Sequence, residues 1–225
     1  MRDLLEFKNI HKGEDIYVLA SGKSVDFIDN TFFNNKIVIG VNQVYKKVEC
    51  KYLVRKEKRY IKDIIDKNGK SIHFISCGDC GGPNTDNIKY IKQISYDKKD
   101  NIVLYSHVVN KQSIQNLPVN DDELVISHST ITTAIHLAAY MGASNIILIG
   151  HDCGSINNEC NFKEYDKVGI DVWLWGGRER YVNFLKNIES HTIKLRGLIK
   201  NKYDCNIYSL NPFINFGLEG NIYTK

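Results

Sequence analysis

The sequence is poor in proline, with three residues in 225, and holds only two tryptophans and two methionines. So few prolines exclude a polyproline spacer, and no low-complexity tract or internal repeat replaces one. It also lacks any run of about 18 apolar residues, so no membrane-spanning helix is expected. The opening stretch, Met1 to Asp15, scatters charges where a secretory signal needs a continuous apolar core, so a cytoplasmic location is expected. Charge of one sign is missing too: 30 Lys and Arg face 26 Asp and Glu, a net +4. That excess is too mild and dispersed for a nucleic-acid binder, but it suits an anionic small molecule.

What is present describes an ordinary globular chain, 43% hydrophobic and 25% charged, which excludes wholesale disorder. Its length suffices to bury a core without disulfide or metal staples. The six cysteines, Cys50, Cys77, Cys80, Cys153, Cys160 and Cys205, therefore read as free thiols. Cys77-Gly-Asp-Cys80 has zinc-knuckle spacing, but Cys153 and Cys160 do not repeat it and no cysteine–histidine cluster joins them. No metal is expected.

Short β-branched and aromatic runs recur along the chain. They predict strands at Ile16–Ala20, Ile37–Val41, Tyr52–Val54, Ile72–Ser76, Ile102–Tyr105, Asn145–Gly150 and Ile207–Leu210. The runs near 16, 37 and 146 are apolar throughout, as parallel strands covered on both faces require. Helices are predicted over Ser24–Phe33, Lys56–Lys67, Thr130–Met141 and Arg178–Lys202. In Thr130–Met141, Ile131, Ala134, Ile135, Ala138 and Met141 make an apolar stripe, Ser129 can cap and Gly142 can stop. The expectation is one α/β domain spanning 1–225. It has a doubly wound, mostly parallel Rossmann-like sheet with helices on both faces. The polar segment 153–177 holds four glycines (Gly154, Gly169, Gly176, Gly177), Trp173 and Trp175, and reads as a lid-like insertion.

In such sheets ligands bind where strands end, close to helix N-termini. Four segments fall there. Leu19-Ala-Ser-Gly-Lys-Ser24 contains Gly-Lys-Ser, but a Walker A loop needs glycine where Tyr17 stands. What remains is a tight Ser21-Gly22 turn whose N–H groups can cradle phosphate or ribose, or a plain connection. Gly40-Val-Asn42-Gln43 places an amide at the end of the second strand, able to donate and accept without charge, or to cap. Ser127-His128-Ser129-Thr130 opens the best helix with three hydroxyls and an imidazole. Gly150-His151-Asp152 follows the strongest strand, and there Asp152 could bind a ribose hydroxyl while His151 moves a proton. His73 and His136 sit inside a strand and a helix and read as structural; His191 is left open.

In this order the four segments resemble a superfamily of three branches: the family 42 bacterial sialyltransferases, the Maf motility-associated flagellin glycosyltransferases and the MptE-like 6-hydroxymethylpterin pyrophosphokinases. The Gly-Asn-Gly-Pro-Ser-Leu-like turn of that superfamily is similar to Ala20-Ser-Gly-Lys-Ser-Val25, and the sialyltransferase Cys-Asn-Gln-Phe-Tyr segment to Val41-Asn-Gln-Val-Tyr45. Its Thr-Ser-Gly-like helix start and Gly-Ile-Asp resemble Ser129-Thr130 and Gly150-His-Asp152, and its late Cys-Pro strand resembles Ile207-Tyr-Ser-Leu-Asn-Pro212. The pyrophosphokinase branch carries carboxylates after the second and third strands, where this chain has Asn42-Gln43 and Arg55-Lys56. Magnesium needs such carboxylates, so the resemblance favours the sugar-transferring branch.

The resemblance implies metal-independent transfer of a nonulosonic (sialic-type) sugar from a CMP donor to a hydroxyl on a glycan, a lipid-linked sugar or a protein. Ser21, Gly22, Asn42, Ser129, Thr130 and Asp152 would hold the nucleotide. The family's histidine base maps to Asn187 by an ungapped count from Pro212, one helical turn from His191, and His151 competes for the role. Two tyrosines of the sialyltransferases stabilise the departing phosphate; here Gly154 stands near the first, leaving Tyr165, Arg178, Arg180 or Tyr181. The alternatives are a pyrophosphokinase using magnesium and ATP, or a nucleotide-binding module without catalysis whose Trp173 and Trp175 face a partner. Homo-oligomerisation and peripheral membrane association stay open.

Overall fold

The computed structural model describes residues 1–56, 70–77, 100–109, 115–127, 129–165 and 178–210. Its strands are β1 (Asp15–Leu19), β2 (Ile37–Val41), β3 (Tyr52–Arg55), β4 (Ile72–Ser76), β5 (Ile102–Val109), β6 (Glu123–Ile126), β7 (Asn145–Ile149) and β8 (Asn206–Ser209). Two α-helices lie among the described residues, α1 (Thr130–Tyr140) and α2 (Arg178–Tyr203). The strands form one sheet in the order β6-β5-β4-β3-β2-β1-β7-β8, and every pairing is parallel. Six strands are laid down in one direction from β1. The chain then crosses back through α1 and resumes on the other side of β1 with β7. That reversal makes the β1/β7 boundary the switch point of a doubly wound α/β fold.

The strands are mostly apolar because both faces are covered. Ile16, Val18, Ile39 and Val41 join one core with Ala134, Ile135 and Ala138 of α1 and Leu195 and Ile199 of α2. Leu19, Val38, Leu53, Ile147 and Ile149 point the other way, into a second core with Val25, Phe33 and Phe162. Each fully buried Val, Leu or Ile of these layers is worth about 1.5–3 kcal/mol.

The predicted striped helix is instead buried on all sides, from Ile131 to Tyr140, because α2 closes over the face that the sheet leaves free. Its His136 and Thr133 are matched inside, whereas the buried Tyr140 hydroxyl has no hydrogen-bond partner among the described residues. His136 Nδ1 accepts the Val125 N–H at 3.1 Å, its Nε2 lies 2.9 Å from the Tyr203 hydroxyl, and Thr133 donates to the Val125 carbonyl at 3.0 Å. Burial, with Lys202 adding, pushes the His136 pKa down to about 3. His73 is likewise buried in β4.

Three expectations need correction. The Ser24–Phe33 helix is two short 3-10 turns, Lys23–Phe27 and Asn30–Phe33. Ile28 between them is extended, and the Asp29 carboxylate takes the Thr31 N–H, starting a new turn rather than continuing the old one. Strand β6, whose apolar run Leu124–Ile126 leads directly into the Ser127–Thr130 segment, is absent from the prediction. The same omission shortens β5, whose second half, Ser106–Val109, pairs with β6 alone. Positions 57–67 of the other predicted helix lie outside the described residues, as do Cys80, His128, Trp173, Trp175 and Pro212. Among the described residues no helix is long and apolar enough to cross a membrane, and no group of three metal-ligating side chains assembles.

Candidate functional site at the carboxyl edge of the sheet

The ends of β1 and β7 meet through their backbones. Ala20 N–H donates to the Ile149 carbonyl at 2.8 Å and Gly22 N–H to the Gly150 carbonyl at 2.7 Å. A Cβ on Gly22 would lie 2.3 Å from the Gly150 oxygen and 2.6 Å from the Asp152 carboxyl carbon, so only glycine fits. Gly150 has φ +66°, the left-handed conformation that turns the chain sharply after β7. Asp152, 4% exposed, follows that turn. Its carboxylate accepts the Ser24 N–H at 2.7 Å and the Ser24 hydroxyl at 2.5 Å. Burial raises the Asp152 pKa, and the two Ser24 donors pull against that rise. The residue predicted to face a nucleotide thus also clamps the turn predicted to cradle it.

The first half of the 153–177 segment is docked rather than open. Phe162 is fully buried with Tyr165 edge-on to it, ring centroids 5.4 Å apart. The Ser21 carbonyl accepts the Phe162 N–H at 3.2 Å and the Asn161 amide at 3.2 Å. Lys163 N–H donates to Asp26 at 3.0 Å. Lys23 pairs with Asp26 at 2.9 Å and with Glu159, and Lys47 reaches Asp26 at 3.6 Å and Glu164 at 3.5 Å. The lysine of the Gly-Lys-Ser triplet is therefore held in ion pairs, in keeping with the failed P-loop reading. Tyr165, a candidate for leaving-group stabilisation, is 5% exposed and packs in this second core. Arg178 is the first residue of α2.

One strand over, the β1–β2 pairing of Leu19 with Gly40 brings Asn42 level with Ser21. Asn42 adopts φ +52°, which asparagine tolerates better than most residues, and its N–H donates to the Val54 carbonyl at 3.3 Å. Its side-chain Oδ1 is buried with no hydrogen-bond partner among the described residues. Neighbouring Gln43 is engaged by Lys46 at 3.0 Å. Arg55, at the end of β3, is fully buried with its guanidinium 4.5 Å above the Tyr45 ring. Sequence reasoning treated Arg55 only as a mark against magnesium. The signal for more was a basic residue directly closing a buried strand.

At the far end of the crossover, Ser129 is extended and caps α1. Thr132 Oγ1 accepts the Ser127 N–H at 2.9 Å and donates to the Ser129 carbonyl at 2.7 Å, which fixes the loop before Thr130. The Ser127 hydroxyl is in short hydrogen-bond contact with His191 Nδ1, and both residues are buried. The next residue of α2, Thr192, lies 2.8 Å from His151 Nε2 and donates its own hydroxyl proton to the Ile188 carbonyl at 3.0 Å. With that proton committed, Thr192 Oγ1 accepts from His151, so His151 is the Nε2–H tautomer. Cys153 Sγ lies 3.6 and 3.8 Å from the two ring nitrogens. Burial lowers the His151 pKa to about 4 and raises that of the Cys153 thiol. The structure therefore gathers Ser21, Gly22 and Asp152 at the switch point with Asn42 beside them, and α2 is tied to two separate loops, through His191 to Ser127 and through Thr192 to His151.

The strand order alone defines a Rossmann-like α/β protein. No protein-family model and no curated relative matches the chain. Among solved structures it is similar to the sialyltransferase CST-II in complex with trisaccharide acceptor and CMP, at 16% identity and a TM-score of 0.48 over 88% of this chain and 81% of that one. It is also similar to the sialyltransferase CstII from Campylobacter jejuni in complex with cytidine-5'-monophosphate, at 15% identity and a TM-score of 0.49 over 89% and 81%. Monomeric CstII gives 15% identity and a TM-score of 0.47 over 88% and 82%.

Proposed function

We propose that this protein is a metal-independent glycosyltransferase of sialyltransferase type, transferring a nonulosonic sugar from a CMP donor to a hydroxyl acceptor. The observation that carries the reading is the Asn42 carbonyl oxygen, buried without a partner among the described residues, beside the Ser21-Gly22 turn at the switch point. A buried acceptor left unmatched costs about 1–3 kcal/mol, and a ligand bearing an amine or hydroxyl removes that cost. The cytosine amino group and the ribose hydroxyls are such donors. Thr130 at the start of α1 would supply an N–H for the phosphate, while Gly22, whose own N–H is committed to the Gly150 carbonyl, would let the ligand approach the tight turn beside Asp152. Where a magnesium nucleotide would need carboxylates, β2 is followed by Asn42 and β3 ends in Arg55.

In this reading His191 is the base. Its Nδ1 is hydrogen-bonded to the Ser127 hydroxyl, and the tautomer that donates Nδ1–H to Ser127 is the one in which Nε2 can take the acceptor's proton. His151 is the poorer base, because burial disfavours its charged form and lowers its pKa to about 4. With Tyr165 packed in the core, Arg178, Arg180 or Tyr181 is left to stabilise charge on the departing phosphate.

A thermal-shift panel of CMP, CDP, UDP, GDP and ATP, with and without magnesium, tests this. CMP at a hundredfold over its Kd should stabilise by about 2.7 kcal/mol without magnesium. No response to any nucleotide would overturn the reading, and a magnesium-dependent response to ATP alone would move it to the pyrophosphokinase class.

A further inference from the structure

Two consecutive residues of α2 are held by two loops that are far apart in sequence. His191 meets Ser127, on the loop before α1, and Thr192 meets His151, on the turn after β7. The apolar stripe Ile188, Leu195 and Ile199 buries α2 against its neighbours but sets its rotation only loosely, since apolar contacts are not directional. The His151–Thr192 hydrogen bond is directional, and Thr192 passes the constraint to its own helix through the Ile188 carbonyl one turn back. We propose that His151 is a positioning residue, which through Thr192 fixes the turn of α2 that presents His191 to the Ser127 hydroxyl. The inference rests on the reading of His191 as the base.

Side-chain nitrogen–proton NMR of His191 in the full chain tests it, with His191→Gln assigning the signals. In the wild type one tautomer should dominate. In His151→Phe and Thr192→Val the His191 signals should move towards the tautomer mixture of a solvated imidazole. Turnover of a CMP-sugar should then fall about ten- to a hundredfold in kcat, with KM within about twofold. His151→Gln, whose amide nitrogen takes the place of Nε2, should restore both, and Thr192→Ser should do the same. Should His151→Phe fail to fold, Thr192→Val gives the same reading. Unchanged His191 signals in a folded Thr192→Val or His151→Phe protein would overturn the proposal. A wild type that binds no CMP, with the tautomer shift still seen in the two variants, would instead sink the glycosyltransferase reading and leave the positioning intact.

Discussion

Ser24 and Asp152, 128 residues apart, are joined twice, the carboxylate accepting both the backbone N–H and the hydroxyl of the serine. This clasp closes the switch point and fixes the turn through Ser21 and Gly22. Ser24→Ala leaves a buried carboxylate with one donor fewer. It should cost about 1–3 kcal/mol in urea unfolding, and a loss under about 0.5 kcal/mol would show that the hydroxyl contributes little.

Gly22→Ala drives a methyl into the Gly150 oxygen and the Asp152 carboxylate, both backbone-fixed or clamped. Overpacking of this kind costs about 1–3 kcal/mol. The variant should unfold at lower urea and lose CMP-induced stabilisation. An alanine variant that keeps both would contradict the described apposition of the two strand ends.

Asn42→Gly separates binding from folding. Glycine adopts the φ of +52° without strain and removes the buried, unmatched oxygen. Apo stability should therefore change by less than about 1 kcal/mol. The thermal shift with CMP should vanish. Full retention of that shift would remove Asn42 from the site.

Acid should destabilise the fold through its buried imidazoles. The folded pKa of His151 is lowered to about 4 and that of His136 to about 3, both by burial. Their neutral forms favour the fold, so this stability is full above the unfolded value near 6.5 and is lost as the pH falls from there towards 4 and 3. Each histidine should add a slope of about 1.4 kcal/mol per pH unit over that window. Urea midpoints from pH 7 to 4 measure it. His136→Gln should flatten the curve by about that amount, and an unchanged slope would contradict the burial account.

Most of the sheet was legible because parallel strands covered on both faces are largely apolar. Ile37–Val41 is read to the residue for that reason, whereas Glu123–Ile126, set directly ahead of the Ser127–Thr130 helix start, is missed. The 3-10 turns of 23–33 read as a helix because their apolar spacing is nearly helical, and only the Asp29 carboxylate breaks it. At the site, strand-end positions announced Gly22, Asn42 and Asp152. The contacts Ser127–His191 and His151–Thr192 span 64 and 41 residues, and no local pattern encodes a pairing at that range. Arg55 was visible as a residue, but its complete burial was not.

The most direct test of the proposed activity is release of CMP from a CMP-nonulosonic acid donor in the presence of EDTA. Glycan, lipid-linked sugar and serine–threonine peptide acceptors should each be supplied. The account predicts acceptor-dependent CMP release that survives chelation and is abolished by His191→Ala. No CMP release with any acceptor, or AMP formed from ATP only when magnesium is restored, would contradict it.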